Sequence, residues 1–258
     1  MRRRLAITAL VVLAIGVGAG AARGESFQAG NIRISFSGGF APHALPRERP
    51  APVTIELNSS ISTEGGSRPP PLRRLEIALN SQGRLSTRGL PTCTSAALQS
   101  TTTESALARC RPALVGHGSF AAALASTQAL IPTTGKILAF NGRRDGKPAL
   151  FLHLYGTVPV RATFVLPLAI ERRQKGQLGT VLATRIPVLA GGLGSITEFN
   201  LRIGRRYSFA GRRRSFLSAG CAAPAGFGLA IFPFARGSFQ FANGTQIDTT
   251  LTRDCKVS

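Results

Sequence analysis

Six apolar residues stand at alternate positions, Val160, Ala162, Phe164, Leu166, Leu168 and Ile170, with Arg161, Thr163 and Glu171 among the residues between them. A period of two puts all six on one face of an extended chain, whereas a helix would scatter them around its axis, so this stretch reads as a half-buried strand. Pro167 interrupts the polar set and offers no N–H to a ladder, which predicts an edge position or a bulge there. The same alternation recurs at Ile32, Ile34 and Phe36, at Val53, Ile55 and Leu57, and at Leu75, Ile77 and Leu79. Further strands are expected over 180–188 and 199–209. Asn141-Gly142 and Asp145-Gly146 lie between two apolar runs, and Asn243-Gly244 lies between two more. These pairs carry the residues that tolerate the positive φ of hairpin turns. The pattern predicts an all-β chain, a two-sheet β-sandwich forming one domain over 23–258. The alternative is two β-domains split near 131–135.

One segment breaks the alternation. Thr94 to Leu98 has the composition of a helical turn, and Thr101 with Glu104 has capping-box spacing before Ala106-Leu107-Ala108. Both pieces are shorter than the roughly 12 residues at which an isolated helix becomes marginal in water. Cys93 and Cys110 flank them, so a bond between these two would clip a short helical insertion onto the sheet. The chain has four cysteines, the others being Cys221 and Cys255. An even set in an exported chain reads as two disulfides, and of three connectivities the neighbour pairing closes the shortest loops. Cys93 to Cys110 and Cys221 to Cys255 is therefore the expected arrangement.

Export is read from residues 1–22. Arg2, Arg3 and Arg4 precede an apolar run from Leu5 to Ala22 that ends in small residues, the layout of a secretory signal peptide. An uncleaved N-terminal anchor is the alternative. Arg3-Arg4 also fits twin-arginine export, and the lack of a cysteine just after the run speaks against lipid attachment. The protein is thus expected to be secreted or associated with the cell envelope.

Charge narrows the partners. The chain carries 32 basic against 11 acidic residues for a formal +21, which becomes +18 once Arg2 to Arg4 leave with the signal. Such an excess attracts polyanions, so anionic envelope polymers or an anionic membrane surface are the expected partners, without sequence-specific nucleic acid binding. Between Phe199 and Gln246 there is no acidic residue, and Arg205, Arg206, Arg212, Arg213 and Arg214 surround an apparent hairpin tip. Arginine forks match phosphate and carboxylate geometry, which makes these five the candidate anion-binding residues. Strand alternation would also place neighbouring arginines on opposite faces.

No catalytic, metal or cofactor site is predicted. There is no Gly-x-Ser-x-Gly elbow, no Cys-x-x-Cys, and only His43, His117 and His153 as nitrogen ligands. His117-Gly118-Ser119 reads as a strand with a glycine bulge, His153 as a packing residue sharing a face with Phe151 and Tyr155, and His43 as a loop residue. Glu171 and Glu198 read as counter-ions in a basic surface. The chain has no Trp and only Tyr155 and Tyr207, which disfavours a platform for neutral glycans.

Leu90-Pro91-Thr92-Cys93, Ala106 to Cys110, Ala113 to Gly118, Ser215 to Cys221 and Arg253-Asp254-Cys255 together resemble uncharacterised exported proteins of GC-rich Gram-positive bacteria. The resemblance implies export and disulfides and carries no activity. The functional expectation is an exported, non-enzymatic envelope or extracellular binding protein of unknown ligand. An extracellular hydrolase is the alternative, and it would need His117 or His153 beside an acid or hydroxyl in a concave pocket.

Overall fold

Alternating apolar residues build most of the chain into strands, which a computed structural model describes over residues 24–127 and 129–258. Residues 1–22, where the sequence predicts a signal peptide, lie outside the described residues. The described residues form eighteen strands. The first seven are β1 (Glu25–Ala29), β2 (Ile32–Ala41), β3 (Ala44–Leu45), β4 (Ala51–Pro52), β5 (Thr54–Thr63), β6 (Leu72–Asn80) and β7 (Gly83–Leu85). Two short helices, α1 (Ser95–Leu98) and α2 (Thr103–Cys110), precede β8 (Leu114–Ala125), β9 (Leu130–Arg144), β10 (Lys147–Gly156), β11 (Ala162–Arg172) and β12 (Leu178–Arg185). The last six are β13 (Gly194–Ile203), β14 (Arg206–Phe209), β15 (Arg212–Ser215), β16 (Leu217–Ala219), β17 (Leu229–Phe241) and β18 (Gln246–Val257).

Thirteen of these strands form one sheet in the order β1-β2-β5-β13-β8-β9-β10-β11-β12-β6-β17-β18-β3, antiparallel except for β18 with β3. The sheet curls so that its far ends meet. Phe36 of β2 lies edge-on to Phe239 of β17, ring centroids 5.9 Å apart, and Phe40 packs against Phe232 and Phe234 of the same strand. Arg253 of β18 donates from Nε to the Gly38 carbonyl at 2.7 Å. The mostly β expectation holds, and the layers that face each other are parts of one continuous sheet. Their apolar faces, from Ile32 through to Cys255, share one core. Residues 131–135 lie inside β9.

The curl has two unlike ends. At the end where β5 begins and β13 finishes, a small sheet of order β4-β16-β7 brings Val53, Leu85 and Leu217 into the core and closes it. The opposite end, where β8 and β10 finish and β13 begins, is bordered by the 157–161 loop and a tight turn over Leu189–Gly192. The helical excursion sits outside the curl on β9 and β10. There Leu98, Ala106 and both cysteines of the Cys93–Cys110 bond pack with Leu138, Phe140 and Phe151 in a second, smaller core. The other bond joins Cys221 to Cys255 inside the main core.

Several local expectations shift. Helix α2 is capped by Thr102, whose hydroxyl accepts from the Ser105 N–H at 3.2 Å, so the cap falls one residue after Thr101. Asp145-Gly146 makes the β9–β10 turn with φ of 51° and 73°. Asn141-Gly142 instead continues β9, because Asn141 accepts from the Cys93 N–H at 2.8 Å and donates to Pro91 O at 2.9 Å, holding the segment before α1. Of Asn243-Gly244 only the glycine is left-handed, φ 85°. Strand β11 starts at Ala162, leaving Val160 outside it and 69% exposed. Pro167 is opposite Phe151 of β10, whereas β11 pairs with β12 only from Ala169 to Arg172, so the proline has a strand neighbour on one side alone. The strand expected over 180–188 is β12, ending at Arg185, and the one over 199–209 divides between β13 and β14.

Candidate functional site

The arginine run begins where β13 leaves the sheet. β14 and β15 form a separate hairpin whose tip, Ala210-Gly211, has φ of 51° and 70°. The pairing Tyr207 with Arg214 and Phe209 with Arg212 places these four on one face, and Arg206 and Arg213 on the other. The first face leans on the chain near Gly89. Tyr207 donates to Arg88 O at 2.7 Å, and a Cβ on Gly89 would sit 2.2 Å from the Phe209 ring. Arg214 lies over that ring, 5.8 Å from its centroid. Arg206, Arg212 and Arg213 are exposed.

Arg205 has a different job. Its Nη1 donates to the carbonyls of Pro112 and Leu114 at 2.7 and 2.6 Å and reaches that of Arg111 at 3.3 Å. A guanidinium spent on three carbonyls clasps the turn after α2 to the end of β13. In doing so it lines a depression of about 450 Å³ together with Arg111, His117 and Arg202. Arg202 and His117 are cross-strand partners on β13 and β8, and Glu56 of β5 stands opposite Arg202 on its other side. Among the described residues the four ion pairs are Arg33–Glu64, Arg74–Glu76, Arg173–Glu76 and Arg144–Asp145, so no member of this cluster is in one.

Comparison with family models, curated proteins and solved structures gives no match. The candidate site therefore rests on its own geometry.

His153 is fully buried beneath the helical excursion. Its Nε2 lies 3.0 Å from both the carbonyl and the hydroxyl of Thr101. The Thr101 hydroxyl gives its proton to Leu98 O at 2.6 Å, so Nε2 is the protonated nitrogen and donates to Thr101. Thr163 adds a bond to the same carbonyl at 2.8 Å, fixing the α1–α2 connection onto β10 and β11. Burial holds the imidazole below its ordinary 6.5, against the opposing hydrogen bond to Thr101. The unfolded chain therefore takes up a proton that the folded chain resists, and stability contributed by the neutral ring is lost as pH falls below about 6.5. The thermal midpoint is expected to drop between pH 7 and pH 5, and the drop to shrink in His153→Asn. Identical pH profiles for the two proteins would contradict this assignment.

A concavity of about 820 Å³ forms a polar trough on the outer face of the sheet. One cross-strand row of its floor runs Ser37, Asn58, Asn200, Ser119, Lys136 and Tyr155 over six adjacent strands. Glu198 and, from α2, Thr103 and Glu104 also line it. The Glu104 carboxyl is held below the usual carboxylate range by the backbone N–H of its own residue and the Thr102 hydroxyl, with Lys136 adding charge attraction. The sequence signalled neither this trough nor the Arg111, His117 and Arg202 cluster. Alternation gives the face of each residue, but β13 comes to lie between β5 and β8 only through long-range pairing.

Proposed function

We propose that the chain is an exported, non-enzymatic binding protein of the cell envelope or extracellular space, retained by anionic polymers through its arginine-rich surface. The observation that carries this reading is the depression where Arg111, His117, Arg202 and Arg205 converge without a paired carboxylate. Converging guanidinium groups suit phosphate or carboxylate oxygens along a polymer. Arg206, Arg212 and Arg213 of the hairpin that follows β13 add exposed charge on both of its faces. Export is supported by the basic and apolar leader together with two disulfides. The non-enzymatic reading over the hydrolase is supported by His153 being sealed from solvent with its Nε2 held by Thr101, and by His117 standing beside arginine rather than an acid.

Immobilised inorganic polyphosphate tests it. Affinity should fall about tenfold or more between about 0.05 and 0.3 M salt, as counterion release requires. Arg111→Ala with Arg202→Ala should weaken binding about tenfold, while Lys175→Ala with Arg236→Ala, which removes the same charge elsewhere, should weaken it about threefold or less. Salt-independent affinity, or equal losses in the two double variants, would reject the cluster as the binding site.

A further inference from the structure

The open end of the curl holds a cavity of about 200 Å³ whose walls come from the inner faces of β8, β10, β11 and β13. Phe120, Leu154, Phe164, Leu166, Ile186 and Ile196 form its depth. The one polar side chain in its wall is Thr133, and that hydroxyl is committed to Val158 O at 2.7 Å. No group inside is left to hold a polar ligand atom, so only an apolar moiety fits. Apolar cavities of about 150 Å³ take up a benzene ring, so this one accommodates several carbons of a chain.

Its mouth is apolar as well. Val158 and Val160, 51% and 69% exposed, line the opening, and Val188, Leu193 and Leu130 are exposed at the same end. Five large exposed aliphatics gathered around one opening form a collar of the kind that marks a binding surface. Within the collar, Arg161 stands between Val160 and Ala162, both wall residues, and is exposed without a hydrogen bond or ion pair among the described residues. We propose that this end binds a single-chain anionic amphiphile, its tail entering the cavity and crossing the collar while its anionic head meets Arg161. The site is separate from the basic depression, which lies at the closed end of the curl, so either can fail without the other.

Calorimetric titration with monomeric decanoate, decanol and butyrate at about 0.15 M salt tests the proposal. Decanoate should bind saturably, one per chain, about fivefold more tightly than decanol, and butyrate should not bind detectably. Ala162→Phe, which narrows the mouth, should abolish decanoate binding. Arg161→Ala, a surface change that leaves the core untouched, should bring decanoate down to the level of decanol. No saturable uptake of decanoate would overturn the proposal, as would unchanged binding in a cooperatively folded Ala162→Phe. If that variant does not fold, Arg161→Ala decides alone, and equal affinities of wild type and variant for decanoate would overturn it. Sedimentation with neutral phosphatidylcholine vesicles by a protein that takes up no decanoate would assign the collar to a bilayer surface, against the proposal.

Discussion

Phe36→Ala should lower the free energy of unfolding by about 3–5 kcal/mol, the range for deleting a fully buried aromatic ring. Phe36 has no solvent exposure, and its ring meets Phe239 edge-on from the opposite part of the sheet. Gly237, next but one to Phe239, leaves room for it, since a Cβ there would approach the Phe36 ring to 3.3 Å. The side chain thus joins strands that stand far apart in the sheet order, β2 near one edge and β17 near the other. Truncation removes the transfer energy of the ring and leaves a void that three surrounding strands cannot readily fill. Urea unfolding measures it, with Phe227→Ala as the control, because Phe227 is 65% exposed and its loss should change stability by less than about 0.5 kcal/mol. A loss below about 1 kcal/mol for Phe36→Ala would mean that the two ends of the sheet are not packed together as described.

Removing the Cys221–Cys255 bond should cost about 3–4 kcal/mol, the loop-closure entropy returned to the unfolded chain. The bond spans a sequence separation of 34 and both sulfurs lie in the main core. It ties the segment after β16 to the last strand of the large sheet, where Cys221 also donates from its N–H to Pro46 O at 3.0 Å. Arg47 reinforces the same segment through the carbonyls of Pro224 and Phe227 at 2.7 and 2.8 Å. Cys221→Ala with Cys255→Ala should therefore lower the urea midpoint and speed amide exchange in β17 and β18. The Cys93–Cys110 bond closes a shorter loop, separation 17, over α1 and α2. Its removal should loosen the helices over His153 and leave exchange in β17 and β18 unchanged. Equal and global loosening in both variants would contradict this division of labour.

How much of this could be read from the chain follows from what each signal encodes. Alternation located β2, β5, β6 and β11 because burying one face of a strand demands apolar residues at every second position. It says nothing of which strand lies beside which. The insertion of β6 between β12 and β17, and of β13 between β5 and β8, joins segments far apart in sequence, and with it came the curl, the closed end and the open end. The helical excursion between Cys93 and Cys110 was readable from composition and cap residues, although a neighbouring threonine does the capping. Asn141-Gly142 misled because the requirement for glycine there is not a turn. A Cβ at Gly142 would lie 2.3 Å from the Phe151 ring and 2.8 Å from Cys93 O, a close approach visible only once the strands are paired.

The candidate site was readable in kind and less so in membership. The arginine run and the scarcity of acids pointed to β14 and β15, and pairing splits the run across two faces as alternation implies. Arg205 turned out to be a clasp on the carbonyls after α2, while Arg111 and Arg202, about ninety residues from each other, complete the basic depression. Neither carries a local motif. The apolar mouth was hidden for the same reason, since Val160 continues the alternation of β11 yet lies outside the strand, at an opening it shares with Val158 and Leu189.

The proposed export requires that the chain cross a membrane and form its disulfides afterwards. Peptide mapping by mass spectrometry, without reduction, of the protein recovered from its native host tests this most directly. It should find a new N-terminus within the small residues near Ala22 and two cross-linked peptide pairs, Cys93 with Cys110 and Cys221 with Cys255. An intact Met1 on material with four free, alkylatable thiols would contradict it.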